Sequence, residues 1–224
     1  ISNNMNRILE PQLVDWPEAV NVLANSFSQK EADSFLEHIE KYFSNDVFPK
    51  SLDFCCGTGD YAILLAQTKN TCIDAIDGSA LVLEVAKEKI NQAGLNDSIH
   101  VKELYAPFLI DEKYDFIYSL SSLHHFHNPV DFWQTIKNHT KLGTKILVID
   151  SLRPHSTEVA RKIVNTYESG ESVWHQTEAY NSLLASFEIE EVVQQLATAE
   201  LRLHVEKITT AMDGFNFIVV WGEI

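Results

Sequence analysis

One segment constrains the fold of this chain more than any other: a short apolar run, a cluster of small residues, then a helical apolar stripe. The run ends at residues 52–54, residues 55–59 read Cys-Cys-Gly-Thr-Gly, and the stripe begins within residues 61–66. This pattern predicts a strand, a tight turn and a helix. Glycines in the turn leave room for a ligand, and the first N–H groups of the helix carry about +0.5 of a unit charge. The segment therefore predicts a site for a nucleotide-like cofactor.

Two classes of cofactor fit such a turn. Residues 57–62, Gly-Thr-Gly-Asp-Tyr-Ala, match the dinucleotide fingerprint, and Asp77 lies near the acid expected roughly 20 residues on. An NAD(P)-dependent oxidoreductase is therefore one hypothesis. The thiols of residues 55–56 and the carboxylate of Asp53 do not suit a pyrophosphate. S-adenosylmethionine (SAM) has no phosphate and carries positive charge, so an acid at Asp53 favours it.

The motifs support the second class. Residues 53–59, Asp-Phe-Cys-Cys-Gly-Thr-Gly, resemble the first motif of class I SAM-dependent methyltransferases, although Cys55 stands where a glycine is common. Residues 114–119, Tyr-Asp-Phe-Ile-Tyr-Ser, followed by His124-His125, closely resemble the Phe-Asp-x-apolar-apolar-Ser and His-His pattern of the fourth strand and following loop of that family. The resemblance covers about residues 5–224 and is to bacterial members of the type 11/12-like group with no assigned substrate.

The order of predicted elements indicates the α/β class. Strands and helices alternate after the turn, which predicts a doubly wound, mostly parallel sheet. The further strands are predicted at residues 72–77, 98–102, 114–120 and 145–150, and a closing hairpin at 201–208 and 215–221. The resemblance implies a Rossmann-like methyltransferase fold, with a seven-stranded, mostly parallel sheet whose last strand is antiparallel.

Two segments lie outside this alternation, and we expect one domain over residues 1–224. A helical preface spans about residues 5–45, where Asp15-Trp16-Pro17 is a helix-start signal. An insertion spans about residues 155–190. The resemblance implies that the preface folds over the cofactor and that the insertion forms a substrate lid.

Charge and composition narrow the partners. The net charge of −15 repels polyanions, so we expect no nucleic-acid partner and disfavour an RNA methyltransferase. No apolar run approaches the roughly 20 residues of a membrane span, and three cysteines form no disulfide framework. We expect a cytoplasmic protein with a small-molecule substrate and no membrane partner; the oligomeric state is open.

The cofactor contacts are predicted from strand ends and from the resemblance. Asp77 ends a predicted strand, where a carboxylate can accept both ribose hydroxyls; it could instead cap the next helix, but Ser79 can do that alone. The resemblance places the adenine near residues 103–105. The full predicted set is Asp53, Cys55, Cys56, Gly57, Thr58, Gly59, Asp77, Gly78, Ser79, Glu103, Leu104, Tyr105, Ser119 and Leu120.

The histidines at 124, 125 and 127 follow the fourth strand and should line the cleft. His124 or His125 is a candidate general base, although a structural role is the alternative, particularly for His125. A metal is not expected, because the three histidines share one short loop and no other ligand cluster completes a site. The predicted substrate contacts are His124, Asp150, Arg153, Tyr167 and Trp174.

The sequence thus predicts SAM-dependent methyl transfer to a small-molecule nucleophile whose reacting atom, oxygen, nitrogen, carbon or sulfur, is unspecified. Two alternatives stay open at this point. One is an NAD(P)-dependent oxidoreductase, and the other is a SAM-binding protein without catalytic activity.

Overall fold

The computed structural model describes residues 4–11 and 17–224. One seven-stranded sheet forms the centre, in the order β3-β2-β1-β4-β5-β7-β6. The first five strands are parallel, and β7 runs antiparallel between β5 and β6. The strands are β1 Lys50–Phe54, β2 Cys72–Asp77, β3 Ile99–Glu103, β4 Phe116–Leu120, β5 Lys145–Ser151, β6 His204–Thr209 and β7 Asn216–Glu223. The predicted fold class is confirmed, including the antiparallel last strand.

Helices connect the parallel strands except β3 and β4, which are joined by the loop of residues 104–115, and they cover both faces of the sheet. They are α1 Pro17–Ala24, α2 Gln29–Phe43, α3 Asp60–Thr68, α4 Ala80–Gln92, α5 Pro129–Asn138, α6 Thr157–Tyr167, α7 Val173–Ala185 and α8 Ile189–Thr198. A 3₁₀ turn lies at Leu123–His125. No described helix is both long and apolar enough to cross a membrane.

Local sequence signals explain where several helices begin. Ser28 forms a capping box with Glu31 at the start of α2, which satisfies two otherwise free backbone N–H groups. The hydroxyl of Ser79 accepts from the backbone N–H of Val82 and caps α4. Pro129 occupies the first turn of α5, as predicted. Pro17 begins α1, whereas Asp15 and Trp16 of the predicted start signal lie outside the described residues.

Two apolar clusters hold the layers together. One packs α5 and α8 against the sheet around the fully buried Trp133, and the other packs α2, α3 and α4 against the opposite face around Phe35 and Leu65. A third, smaller cluster joins α6 to α7 within the insertion. The parallel strands therefore have helices on both faces, as their continuous apolar sequences predict.

The strand order reverses between β1 and β4, because β2 lies on one side of β1 and β4 on the other. In open α/β sheets, ligands bind at the carboxyl ends of the strands beside such a switch point. The glycine turn (residues 55–59) follows β1, and the histidine loop, which contains His124, His125 and His127, follows β4. Both predicted site segments therefore lie beside this switch point.

Candidate functional site

A cavity of about 870 Å³ opens at the carboxyl ends of β1, β2 and β4. Its floor is the turn between β1 and α3, and its walls are the segments that follow β2, β3 and β4. Leu23, Ser26 and Phe27 of the preface also line it. The cavity volume lies within the range of pockets that enclose cofactor-sized molecules, about 300–1,000 Å³.

The turn adopts the backbone that its small residues allow. Cys55, Gly57 and Gly59 all have positive φ, at 63°, 54° and 81°. A Cβ added at Gly57 would meet no atom within 4 Å, so this residue faces open space, whereas one at Gly59 would lie 3.2 Å from Cβ of Ala86. Gly57 therefore leaves the backbone open to a ligand, and Gly59 lets α4 approach the turn. Cys55 takes a left-handed conformation at the position where the family commonly has glycine.

Asp77 lies at the end of β2 and faces the turn. Its Oδ2 accepts the backbone N–H of Gly57 at 2.9 Å, and its Oδ1 accepts that of Ser79 at 3.0 Å. Ser79 itself caps α4, so the carboxylate of Asp77 is not the side-chain cap of that helix. The carboxylate lines the cavity and retains acceptor capacity, which suits the predicted contact with ribose hydroxyls.

Asp53 lies behind the turn and is 3% exposed. Its Oδ2 has no hydrogen-bond partner among the described residues. Burial, aided by the charges of Asp77 and Asp60, raises the pKa of Asp53 to about 7, although the nearby hydroxyl of Tyr118 acts in the opposite direction. An orphaned buried carboxyl beside the cavity is a feature that a positively charged ligand would stabilise.

The cavity wall carries several acidic side chains and, among the described residues, no lysine or arginine. Five carboxylates line it. The five are Glu10, Glu31, Asp60, Asp77 and Asp131. The wall therefore attracts cations and repels phosphate groups, so its residues fit SAM better than a dinucleotide.

Most of the predicted cofactor residues lie on the cavity. Cys55, Cys56, Gly57, Thr58, Asp77, Gly78, Ser79, Leu104, Tyr105 and Leu120 line it. Tyr105 packs its ring over Gly78, where an added Cβ would lie 2.8 Å from the ring. Asp53, Gly59, Glu103 and Ser119 are not part of the lining, and Ser119 is buried with its hydroxyl donating to the carbonyl of Phe54 at 2.7 Å.

His124 is buried and held by Asp150. Its Nδ1 lies 2.8 and 3.0 Å from the two carboxylate oxygens of Asp150, and its backbone N–H donates to the same carboxylate at 2.9 Å. Burial alone would lower the pKa of His124, but the charge and hydrogen bond of Asp150 raise it above its ordinary value. His124 and Asp150 do not line the cavity, so their predicted substrate contacts stay predictions.

His125 lines the cavity and pairs with Glu10 of the preface. Its Nδ1 is hydrogen-bonded to Oε2 of Glu10, and Oε1 of Glu10 accepts the hydroxyl of Ser182 at 2.9 Å. Glu10 Oε1 also lies 3.7 Å from Nε2 of His124. The sequence argument against a metal was that no residue elsewhere completes a ligand set. Folding brings Glu10 to both histidines, a contact that this argument did not include.

The other predicted substrate residues lie away from the cavity. Arg153 pairs with Glu191 at 2.9 Å and donates to the carbonyl of Ser186 at 3.1 Å. Tyr167 packs against Phe215 at the end of α6, and Trp174 lies in the first turn of α7. Neither α6 nor α7 contributes a residue to the cavity wall. Residues of the preface line the cavity instead, and the lid function of the insertion stays a prediction.

Several wall residues were missed by the sequence analysis. Glu10, Phe27, Glu31 and Tyr61 line the cavity. Phe27 and Tyr61 pack edge to face with centroids 5.0 Å apart, which joins the preface to α3. Lys89 of α4 holds the same region by bonding to Asp60 at 2.7 Å and to the carbonyl of Ala24 at 2.6 Å. The sequence predicted the helices of the preface, but it did not predict which of their residues line the cavity.

Comparison with known proteins agrees with this geometry. Residues 52–143 match the family described as a methyltransferase domain. A demethylmenaquinone methyltransferase of Bacillus cytotoxicus is 31% identical over 118 residues, which are 49% of this chain and 48% of that protein. The chain thus matches about half the length of that curated relative.

Solved structures share the fold across most of the chain. A SAM-dependent methyltransferase from Aquifex aeolicus has a TM-score of 0.66 at 17% identity and covers 93% of this chain and 99% of that one. The plantazolicin methyltransferase BpumL, solved in complex with S-adenosylhomocysteine (SAH), has a TM-score of 0.62 at 15% identity and covers 92% and 96%. Residues 52–143 thus match a methyltransferase domain, and the solved structures show that the chain has the fold of SAM-dependent methyltransferases across most of its length.

Proposed function

We propose that this protein transfers a methyl group from SAM to a small-molecule nucleophile. The main support is the acidic wall of the cavity, which carries five carboxylates and, among the described residues, no lysine or arginine. This wall favours a cationic cofactor and disfavours the pyrophosphate of NAD(P). It also disfavours a polyanionic acceptor, so we infer that the acceptor is neutral or cationic.

The residues of the chain bind and orient in this proposal. Asp77 would accept the ribose hydroxyls while the N–H groups of Gly57 and Ser79 keep its carboxylate in place. Leu104 and Tyr105 would form the side of the cavity next to the adenine. The charge of Asp53 would stabilise a positive ligand from behind the turn.

SAM, when bound, supplies a methyl group that its sulfonium makes electrophilic. The protein must therefore mainly align the acceptor and exclude water. The preface does this by covering the cavity with Leu23 and Phe27. Where the acceptor needs a general base, we propose His125 rather than His124, because only His125 of the two lines the cavity.

The acceptor is proposed only as a class. The match to a demethylmenaquinone methyltransferase covers 49% of this chain, so the reacting atom stays open. A cytoplasmic location likewise stays a prediction.

Ligand binding and product formation test the proposal separately. SAM or SAH at 100 times its dissociation constant should stabilise the protein by about 2.7 kcal/mol in thermal unfolding, and NAD should not. A screen of neutral and cationic metabolites for SAH formation then identifies the acceptor. Stabilisation by NAD and not by SAM would contradict the proposal, and SAM binding without turnover on any acceptor would favour a non-catalytic SAM-binding protein.

A further inference from the structure

A cluster of three potential metal ligands lies at one end of the cavity. Glu10, His124 and His125 each offer a donor atom, and these atoms lie within 4.8 Å of one another. Glu10 and His125 also line the cavity. Two imidazoles and one carboxylate form a ligand set that binds divalent transition metals and leaves a coordination position open.

The buried imidazole is oriented for such a role. Asp150 accepts the hydrogen bond from Nδ1 of His124, which fixes the neutral ring with its lone pair on Nε2. Nε2 is buried and has no hydrogen-bond partner among the described residues, and it lies 3.7 Å from Oε1 of Glu10. Metal-binding histidines commonly donate their second ring nitrogen to a carboxylate in this manner.

The distances require only a small adjustment. At metal–ligand distances of about 2.0–2.2 Å, tetrahedral ligand atoms lie roughly 3.3–3.6 Å apart. The Nε2–Oε1 separation of 3.7 Å in His124 and Glu10 is close to that value. Nδ1 of His125 is at present hydrogen-bonded to Glu10 and would have to move outward, which its 44% exposed side chain allows.

The local charge also favours a cation. The carboxylates of Glu10 and Asp150 contact the two histidines directly. Burial raises the pKa of Glu178 in α7, and the negative charge of Glu10 raises it further. Arg7 is the opposing positive charge, since its guanidinium donates to the carbonyls of His124 and Phe126, both at 2.9 Å. Among the described residues that contact the two histidines, the carboxylates of Glu10 and Asp150 outnumber the one guanidinium, so this cluster is net negative when the histidines are neutral.

We propose that Glu10, His124 and His125 bind a divalent transition-metal ion, with Asp150 as the residue that positions His124. The ion would lie at the cavity wall, with its open coordination position toward the cavity. This last point rests on the proposed function: an acceptor at that position would present an oxygen or nitrogen atom to the ion. With the ion bound, His125 is a metal ligand and no longer the candidate general base.

Zn²⁺ and Co²⁺ serve as probes on the tag-free protein at 0.15 M salt, where the negative surface is largely screened beyond about 8 Å. Competition with a chromogenic chelator should show one Zn²⁺ per chain. Glu10→Gln and His125→Asn should each weaken binding at least 10-fold, and Asp150→Asn about 10- to 100-fold. Glu31→Gln and His127→Asn are matched controls, because they change a cavity acid and a loop histidine outside the cluster, and they should leave Zn²⁺ affinity unchanged.

The readouts distinguish this proposal from its alternatives. Circular dichroism and the unfolding midpoint of each variant show whether it has folded. The Co²⁺ spectrum should show nitrogen and oxygen ligation; a thiolate charge-transfer band would assign the ion to the cysteines of the glycine turn and overturn the proposal. Absence of stoichiometric Zn²⁺ binding, or equal affinity in Glu10→Gln and the controls, would also overturn it. SAM titration of the metal-free protein tests the methyltransferase proposal independently.

Discussion

The backbone N–H of Gly57 donates to the carboxylate of Asp77 across 2.9 Å, so the glycine turn after β1 is tied to the end of β2. The same carboxylate accepts the N–H of Ser79, which begins the next helix. One side chain therefore holds two segments of the cavity in position and presents its remaining acceptor capacity to a ligand.

Asp77→Ala should weaken SAM binding about 10- to 100-fold, because hydrogen bonds to a charged group contribute about 1.5–3 kcal/mol. Isothermal titration calorimetry measures the affinity. The control is Asp97→Ala, an exposed acid away from the cavity. An affinity equal to that of the wild type would rule out the ribose contact.

Asp53→Asn should stabilise the ligand-free protein at pH 8 and weaken its SAM affinity. The pKa of Asp53 is raised from 3.8 to about 7, so the folded state loses stability as pH rises between these values and the carboxyl ionises in a buried place. The asparagine carries no such cost, and its advantage should reach about 1–4 kcal/mol at pH 8 and shrink at pH 5. Urea unfolding at both pH values measures the difference.

The same carboxyl predicts a pH dependence of cofactor binding. SAM affinity of the wild type should fall as pH decreases through 7, because protonation removes the charge that favours a cation. Asp53→Asn should lack this part of the dependence. If SAM affinity had the same pH dependence in both proteins, the charge of Asp53 would not contribute to SAM binding.

Gly59→Ala should destabilise the fold more than Gly57→Ala. Both residues have positive φ, which costs an alanine about 1–2 kcal/mol, but only at residue 59 does the new methyl press on another residue, Ala86. At residue 57 the methyl would enter the cavity and should mainly lower SAM affinity. Denaturation and calorimetry on both variants should give this crossed pattern; the reverse order of stabilities would contradict the close packing of residue 59 against Ala86.

Arg7→Ala should destabilise the protein by about 2–4 kcal/mol, since the partly buried guanidinium serves several backbone carbonyls. It donates to the carbonyl of Ala185 at 2.6 Å as well as to the histidine loop, and it stacks 3.9 Å above the ring of Phe187. Chemical denaturation tests this expectation. Arg202→Ala, at an exposed position, is the control, and an equal effect of the two substitutions would contradict the role given to Arg7.

The parts of the site that could be predicted are those encoded locally. The turn at residues 55–59 follows from small residues between a strand and a helix, and Asp77 could be placed because strand ends are readable from apolar runs. Ser79 was rightly expected to cap α4 with its own side chain. Each of these inferences depends on residues within about one element of one another.

The parts that could not be predicted depend on residues far apart in sequence. Glu10 and His125 are 115 residues apart in the sequence, and hydrophobic periodicity does not predict a contact between such distant positions. For this reason the sequence argument about a metal did not include Glu10. Likewise, the raised pKa of Asp53 follows from complete burial, which a strand-end position does not by itself imply.

The sequence by itself determined the order of strands and helices, the glycine turn and the acid at the end of β2, because hydrophobic periodicity and backbone preference act over short stretches. Only the tertiary structure decided which residues of the preface line the cavity and that the insertion contributes nothing to its wall. It alone brought a carboxylate of the preface to two histidines of the loop after β4. Those contacts form when segments far apart in the sequence pack together, and the local sequence around each residue does not indicate which distant residue it will contact.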